Sequence, residues 1–140
     1  MRLLDRFKVR KILKQQGKSK FSESVGHAVD GIQYVISHER NFRIETIFAI
    51  LVTIASFIFK VSLIEWSLLI LVIGIILALE MINTAIERCV DLVTKEYKEL
   101  AKIAKDVAAG SVLVMSMFSV ILGIIIFLPK IMLFLEKIGY

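Results

Sequence analysis

Residues 66–86 read WSLLILVIGIILALEMINTAI, and this stretch decides the fold. No charged residue occurs from Trp66 to Leu79, and the chain then meets Glu80 without any helix-breaking residue. At ~1.5 Å per residue this helix reaches about 31 Å, which is enough to cross the ~30 Å hydrocarbon core of a membrane. The stretch therefore predicts a membrane-spanning helix whose last turns carry polar side chains.

Two further apolar stretches flank this helix. The first contains FAILVTIASFIF and predicts a span of about 44–64. Because 44–59 alone reaches only about 24 Å, we expect an extension through Val61–Ile64 or a locally thinner bilayer. The other stretch predicts a span over 107–128 that ends before Pro129, a natural stop, and leaves the short tail KIMLFLEKIGY. With 57% hydrophobic residues in such blocks, the chain is expected to be an integral membrane protein.

The N-terminal part has a different character. Residues 1–20 form a basic arm, and residues 21–40 show the periodicity of an amphipathic helix. Its apolar side carries Phe21, Val25, Ala28, Ile32, Val35 and Ile36. We expect this helix to lie in the membrane interface. The sequence thus predicts an all-α integral membrane fold, with a surface helix and three transmembrane helices in one domain, 21–140.

The basic residues indicate the topology. The first 43 residues hold 10 Lys and Arg, the segment 87–106 holds five, and the 60–65 turn and the tail hold three. The positive-inside rule then puts the N-terminus and 87–106 in the cytoplasm and the C-terminus outside. A basic excess also suits nucleic acid, but the apolar blocks favour a membrane, and nucleic-acid motifs are missing. Cys89 is the single cysteine, so no intrachain disulfide forms.

A polar stripe marks the end of the second span. Glu80, Asn83, Glu87 and Asp91 follow at spacings of three, four and four, which puts them on one side of a helix. An acid in hydrocarbon costs roughly 2.5 kcal/mol or more, so it normally faces a partner or a wet cavity. Carboxylates at this spacing suit Mg²⁺, and one of them could abstract a proton. A purely structural interpretation is the alternative. In it, Glu87 and Asp91 are charges solvated by water, and Asn83 forms a hydrogen bond between helices.

More charged residues are expected at the same depth. Glu39 lies in SHERNFRIE before the first span, and Lys105 and Asp106 open the third. With Glu80 and Glu87, they can converge on one site at the cytoplasmic interface. Carboxylates, a metal and a lysine are the parts of phosphoryl transfer from a nucleotide. Neither a Walker loop nor a kinase glycine loop is present, so a nucleotide site would be of another kind.

The stretch 79–114, LEMINTAIERCVDLVTKEYKELAKIAKDVAAGSVLV, carries three specific motifs. They are E-x-x-N-x-x-x-E-x-x-x-D, E-Y-x-E-L and A-K-D, and ERNFRIE precedes them at 39–45. Over roughly 20–128 the chain resembles the small bacterial membrane diacylglycerol kinase and undecaprenol kinase family. The resemblance implies a homotrimer of three-span subunits with a surface helix on the cytoplasmic side. It also implies transfer of the γ-phosphoryl group of ATP to a lipid hydroxyl, with Mg²⁺.

By motif match, the resemblance assigns roles to individual residues. Glu80 corresponds to the catalytic base, and Glu39 and Glu87 correspond to the acids that hold the metal-nucleotide complex. Asn83 supports that site, and Asp91 matches an invariant-type acid of less defined role. The further nucleotide contacts that the resemblance implies are Lys20, His27, Glu96, Tyr97, Lys105 and Asp106.

Some positions depart from the family pattern. Lys20 stands where some members have arginine, His27 where some have tyrosine, and Ala109 where the proteobacterial enzymes have serine. VAAG together with ERNFRIE resembles the Gram-positive branch, whose preferred lipid is undecaprenol. We therefore expect an undecaprenol kinase of the bacterial cytoplasmic membrane. The alternatives are a diacylglycerol kinase that makes phosphatidic acid and a non-enzymatic helical module.

Overall fold

A computed structural model describes residues 20–139 of the chain, so the basic arm predicted over residues 1–20 lies outside the described part except for Lys20, the first residue of a helix. It contains four helices, α1 (Lys20–His38), α2 (Arg40–Ile58), α3 (Leu63–Val93) and α4 (Glu99–Lys137). The last three are each long and apolar enough to cross a membrane. The prediction of an all-α protein with three such helices is confirmed.

The chain divides into two units at the boundary between His38 and Glu39. The first unit contains α1, close to the helix predicted over 21–40. Inside it, the Tyr34 ring stacks on His38 with 4.3 Å between ring centroids, and the Ser37 hydroxyl donates to the Gln33 carbonyl at 2.8 Å. The second unit contains α2 to α4. A single domain over 21–140 stays a prediction.

The first span starts earlier and ends earlier than predicted. Helix α2 has 19 residues, about 28 Å at ~1.5 Å per residue, because it begins at Arg40. The predicted extension through Val61–Ile64 is wrong, because the chain turns at Lys60, whose φ is 50°. The Val61 N–H bonds to the Ser56 carbonyl at 3.1 Å and the Lys60 N–H to the Phe57 carbonyl at 3.3 Å. This is a Schellman motif, which satisfies carbonyls at the end of a helix.

Helix α3 begins directly after this turn with a capping box. The Glu65 N–H donates to the Ser62 hydroxyl at 3.3 Å, and the Ser62 N–H donates to the Glu65 carboxylate at 2.6 Å. Two N–H groups that the first turn would leave without partners are thereby satisfied. The same Glu65 oxygen forms an ion pair with the Lys130 ammonium of α4 at 3.0 Å.

Apolar side chains pack beside this cap. The side chains buried there are those of Val61, Leu69 and Ile126. Partly buried neighbours complete the cluster: Val52, Trp66, Leu122 and Phe127. Aromatic rings add to it, with Phe57 against Trp66 at 5.0 Å between ring centroids. The three membrane-spanning helices are therefore joined at this end by packing.

Helix α4 continues through Pro129 to Lys137, so the prediction that the third helix ends before Pro129 is wrong. Proline removes one backbone N–H, a local cost that neighbouring helices can compensate in a membrane. Contacts on both sides hold the helix here. Ile126 is only 4% exposed before the proline, and Lys130 and Phe134 contact Glu65 and Phe59 after it. The predicted tail is thus the last part of α4.

Two ion pairs fix the register of α3 against α4. The Lys130 ammonium lies 3.0 Å from Glu65, and the Lys105 ammonium lies 2.6 Å from Asp91. Asp91 follows Glu65 by 26 residues, and Lys130 follows Lys105 by 25. The pairs are therefore about 38 Å apart at ~1.5 Å per residue, more than the ~30 Å hydrocarbon thickness. We name the two ends of this helix pair the Glu65 end and the Asp91 end.

Candidate active site

Glu80 lies in the interior of α3 and is only 3% exposed. Its position follows from the helix, because it shares a face with Asn83 and Thr84, which are also buried. The Asn41 side chain of α2 donates a hydrogen bond to the Glu80 carboxylate, and the charges of Glu39 and Glu87 act on it. A carboxylate is therefore held inside the protein, between α2 and α3, with two more acids close by.

The next turns of α3 continue the polar stripe. The Asn83 amide donates to the Glu87 carboxylate at 3.4 Å, while the Asn83 side-chain carbonyl is buried and has no hydrogen-bond partner. The Thr84 hydroxyl donates to the Glu80 backbone carbonyl at 3.0 Å. A buried acceptor without a partner costs free energy, about 1–3 kcal/mol, so the position of this oxygen calls for a structural or functional reason.

A chain of charges joins the three membrane helices at the Asp91 end. Glu39 precedes α2 at its N-cap position, but its side chain does not cap the helix. Instead, Arg88 of α3 donates to the Glu39 carboxylate at 2.6 Å and lies 3.9 Å from Asp91. Asp91 in turn accepts from Lys105 of α4 at 2.6 Å. Glu39, Asp91 and Lys105 are thus brought together, with Arg88 between the two acids.

Other predicted site residues lie in different surroundings. Asp106 pairs with Lys102 one turn away at 2.9 Å, on the exposed surface of α4. Glu96 and Tyr97 lie in the segment between α3 and α4, where the Glu96 N–H bonds to the Thr94 hydroxyl at 3.1 Å and Tyr97 is 81% exposed. These contacts are local to their own segments.

The two predicted residues of α1 belong to the other unit of the chain. His27 is exposed on this helix. Lys20 is the first residue of α1, and its side chain lies outside the described residues. Their predicted nucleotide contacts therefore stay predictions.

Sequence reasoning missed two residues of this region. Glu45, on α2, carries a buried carboxylate oxygen without a hydrogen-bond partner, and the charge of Glu80 acts on it. It lies within the predicted first span, where any ionisable residue is a functional candidate, so that rule would have found it. The sequence signal for Arg88 is weaker. It is only a basic residue that follows Glu87 directly and lies three residues before Asp91.

A cavity of about 350 Å³ lies between α2, α3 and α4, and Glu45 is part of its wall. The rest of the wall is mostly apolar, with Phe48, Val72, Ile76 and Val120 among its side chains. Its volume is in the range of ligand pockets, which are typically about 300–1,000 Å³ and largely apolar with few polar groups. The cavity therefore has one carboxylate in its wall, that of Glu45, and the charge of Glu80 acts on this carboxylate.

The carboxylates fit a magnesium ion that arrives with a nucleotide. Among residues 20–139, no three His, Cys, Asp or Glu side chains are arranged to hold a metal by themselves. Mg²⁺ does not need such a group, because it usually takes one or two protein carboxylates and completes its shell with water and phosphates. Glu39 and Glu87 supply such oxygens, and the unpartnered carbonyl oxygen of Asn83 is a third oxygen donor nearby.

Comparisons with known proteins show the family of the chain. Residues 26–127 match the profile of the family described as prokaryotic diacylglycerol kinase. The chain is 46% identical over 112 residues to the undecaprenol kinase of Bacillus subtilis, covering 80% of this chain and 91% of that protein. It is 40% identical over 110 residues to a diacylglycerol kinase of Synechocystis, and this match covers 78% of this chain and 63% of that protein.

A diacylglycerol kinase of Escherichia coli is more distant, 30% identical over 105 residues, covering 75% of this chain and 86% of that protein. The matched residues include α2, α3 and most of α4, and hence Glu39, Glu80 and Glu87. This extent of similarity settles the identity at the level of a family. The chain belongs to the prokaryotic diacylglycerol kinase family.

Proposed function

We propose that this protein is a lipid kinase that transfers the γ-phosphoryl group of ATP to the hydroxyl of undecaprenol at the cytoplasmic membrane interface. One observation carries the proposal. The buried Glu80 carboxylate lies close enough to Glu39 and Glu87 for their charges to act on it, and its own charge acts on Glu45, which is part of the wall of the apolar cavity. A water-soluble nucleotide and a membrane-bound alcohol have to meet at such a boundary, and holding both there lowers the barrier to reaction.

In this proposal Glu80 is the catalytic base. It takes the proton from the lipid hydroxyl as the hydroxyl oxygen attacks the γ-phosphorus, and ADP leaves. Asn41 orients the carboxylate through its hydrogen bond, and the buried position keeps competing water away. A base at hydrogen-bonding distance of the hydroxyl contributes about 10²–10⁴ in rate.

The residues at the Asp91 end hold the nucleotide in this proposal. Glu39 and Glu87 bind Mg²⁺, which when bound neutralises charge on the transferring phosphoryl group. Asn83 supports Glu87 through its amide, and Asp91 keeps Lys105 in place through their 2.6 Å ion pair. We assign the outer contacts with the nucleotide to Lys20, His27, Glu96, Tyr97, Lys105 and Asp106.

The cavity is proposed to receive the first part of the lipid tail. Its apolar wall suits hydrocarbon, and Glu45 and Glu80 lie where the hydroxyl end would stop. The similarity to an undecaprenol kinase, at a higher identity than to the diacylglycerol kinases above, supports the polyprenol as substrate. Diacylglycerol is the second candidate, because the family profile and two of these relatives carry that name.

We also propose the placement in the membrane. Helix α1 lies on the cytoplasmic surface with exposed apolar residues such as Phe21, Val25 and Ile32 toward the lipid. The protein lies in the bacterial cytoplasmic membrane. Its basic N-terminus and the segment between α3 and α4 face the cytoplasm, and its C-terminus lies on the opposite side of the membrane. The family resemblance adds a homotrimer as the proposed assembly.

The experiment that tests the function is a radiolabelled-ATP assay of the purified protein in mixed micelles. We expect phosphate transfer to undecaprenol to exceed transfer to diacylglycerol. The reverse preference would assign the protein as a diacylglycerol kinase. Transfer to neither lipid, together with no Mg·ATP binding at millimolar nucleotide, would favour a non-enzymatic helical module, in which the acids only hold helices together.

A further inference from the structure

Arg88 occupies one of the carboxylates that the proposed function assigns to the metal. Its guanidinium donates to the Glu39 carboxylate at 2.6 Å, the same distance as that between the Lys105 ammonium and Asp91. The Glu39 side chain is 19% exposed and the Arg88 side chain is 46% exposed. The Glu39 carboxylate is therefore mostly shielded from water, and the Arg88 side chain is about half shielded.

This contact is in conflict with metal binding at the same oxygen. A guanidinium and a magnesium ion cannot both occupy the same lone-pair direction of one carboxylate oxygen. Two cations in contact with the same oxygen also repel each other. A metal-nucleotide complex that binds this oxygen of Glu39 therefore displaces Arg88. Asp91 does not hold it strongly, because that contact is 3.9 Å long and Asp91 already accepts from Lys105 at 2.6 Å.

We propose that Arg88 exchanges partners: it neutralises Glu39 in the nucleotide-free enzyme and binds the phosphates of ATP once the metal has taken its place. This inference rests on the proposed function. Arginine suits the second role, because its planar group donates two parallel hydrogen bonds to phosphate oxygens. Arg88 also follows Glu87 directly, so phosphates on a metal held by Glu39 and Glu87 come within reach of its side chain.

The exchange explains how an acidic cluster accepts an anionic ligand. Glu39, Glu80 and Glu87 lie close together, and ATP adds further negative charge. With Arg88 on Glu39, the free cluster has a smaller negative charge to stabilise. With Arg88 on the phosphates, the complex gains a charge-assisted contact. One side chain thus serves both states without a new residue entering the site.

The test compares Arg88→Ala with Lys130→Ala, which breaks the corresponding ion pair between helices at the Glu65 end. Isothermal titration calorimetry on the full chain in detergent gives the Kd of Mg²⁺ alone and, with Mg²⁺ present, of ATP, ADP and AMP. For Arg88→Ala we expect Mg²⁺ alone to bind several-fold more tightly. We expect ATP to bind about tenfold more weakly, the size of one charge-assisted hydrogen bond, and AMP to change little. Lys130→Ala should leave every Kd unchanged.

The outcomes separate this inference from the proposed function. If the wild-type protein binds no Mg·ATP, the proposed function itself fails. If the wild type binds Mg·ATP and Arg88→Ala has unchanged Kd values, or loses ATP and AMP equally, Arg88 is only a structural tie between α2 and α3. Should Arg88→Ala not fold, Arg88→Gln repeats the test, because glutamine can still donate to Glu39 but carries no charge.

Discussion

The two ends of the α3–α4 pair are built on opposite principles. At the Glu65 end, polar groups satisfy each other in a capping box and an ion pair, and apolar side chains fill the space between helices. At the Asp91 end, three acids lie close together. Among the described residues, the buried side-chain atoms without a partner are Glu45 Oε2 and Asn83 Oδ1, and both lie in this half of the bundle. One end is arranged for stability, and the other keeps acids and buried acceptors together at a cost in stability, as the proposed function requires.

The largest expected effect comes from Glu80→Gln at the acidic end. We expect kcat to fall by about a hundredfold or more, since the base is removed while the shape is kept. The Kd for Mg·ATP should hardly change, and thermal stability should be equal or higher, because a buried charge is gone. Steady-state assays, calorimetry and thermal unfolding measure the three quantities.

The matched control is Glu65→Gln, at the other end of the same helix. This variant loses its ion pair with Lys130 but should retain wild-type turnover. A Glu80→Gln enzyme that keeps most of its turnover would show that Glu80 is not the base, and the functional contrast between the two ends would disappear.

Glu39→Ala and Glu87→Ala sharpen the contrast within the acidic end. Each variant removes a proposed magnesium ligand, so we expect the Kd for Mg·ATP to rise about tenfold or more. Calorimetry at fixed Mg²⁺ measures the change, and a titration with Mg²⁺ alone checks that the metal is involved. Unchanged affinity in both variants would count against the metal assignment.

Ile126→Ala tests the packed end. Ile126 is 4% exposed within the cluster of Val61 and Leu69, so truncation should cost about 2–5 kcal/mol of unfolding free energy. Ile125→Ala is the matched control, because its side chain is 64% exposed and should lose far less. Neither side chain lines the cavity proposed for the lipid tail, so activity per folded molecule should stay the same in both variants. Equal stability of the two variants, or a specific loss of activity in Ile126→Ala, would contradict this division of roles.

The smallest expected effect is a gain at the turn between α2 and α3. Lys60 has a φ of 50°, a left-handed conformation that costs a residue with a Cβ about 1–2 kcal/mol. Lys60→Gly removes that cost but makes the unfolded chain more flexible, so we expect a net gain of up to about 1 kcal/mol. Lys60→Ala should give no gain. Chemical or thermal unfolding distinguishes the two, and a less stable glycine variant would refute the explanation.

The amino-acid sequence predicts correctly those features that depend on neighbouring residues within one helix. The apolar run from Trp66 predicted α3, and the spacing of Glu80, Asn83 and Glu87 predicted their shared face, because both follow from helix geometry. Long-range contacts could not be predicted in this way. Arg88 pairs with Glu39 from 49 positions away, and no periodicity reveals such a pair.

The error at Pro129 has the same origin. Proline was interpreted by its local effect on hydrogen bonding, which favours a stop. The helix continues because Lys130 and Phe134 find partners at Glu65 and Phe59, on elements far away in the chain. The end of α2 was misjudged because a lysine occupies the left-handed position at Lys60, where glycine would have given a clear signal.

The matched ion pairs have a mechanical consequence. Sliding α4 along α3 by one turn, about 5.4 Å, would pull Lys130 from Glu65 and Lys105 from Asp91 at the same moment. Such sliding of the two long helices is therefore opposed at both ends of the pair. Helix α2 packs less extensively on α3 than α4 does, so a displacement among the three helices costs fewer contacts when α2 moves than when the α3–α4 pair separates.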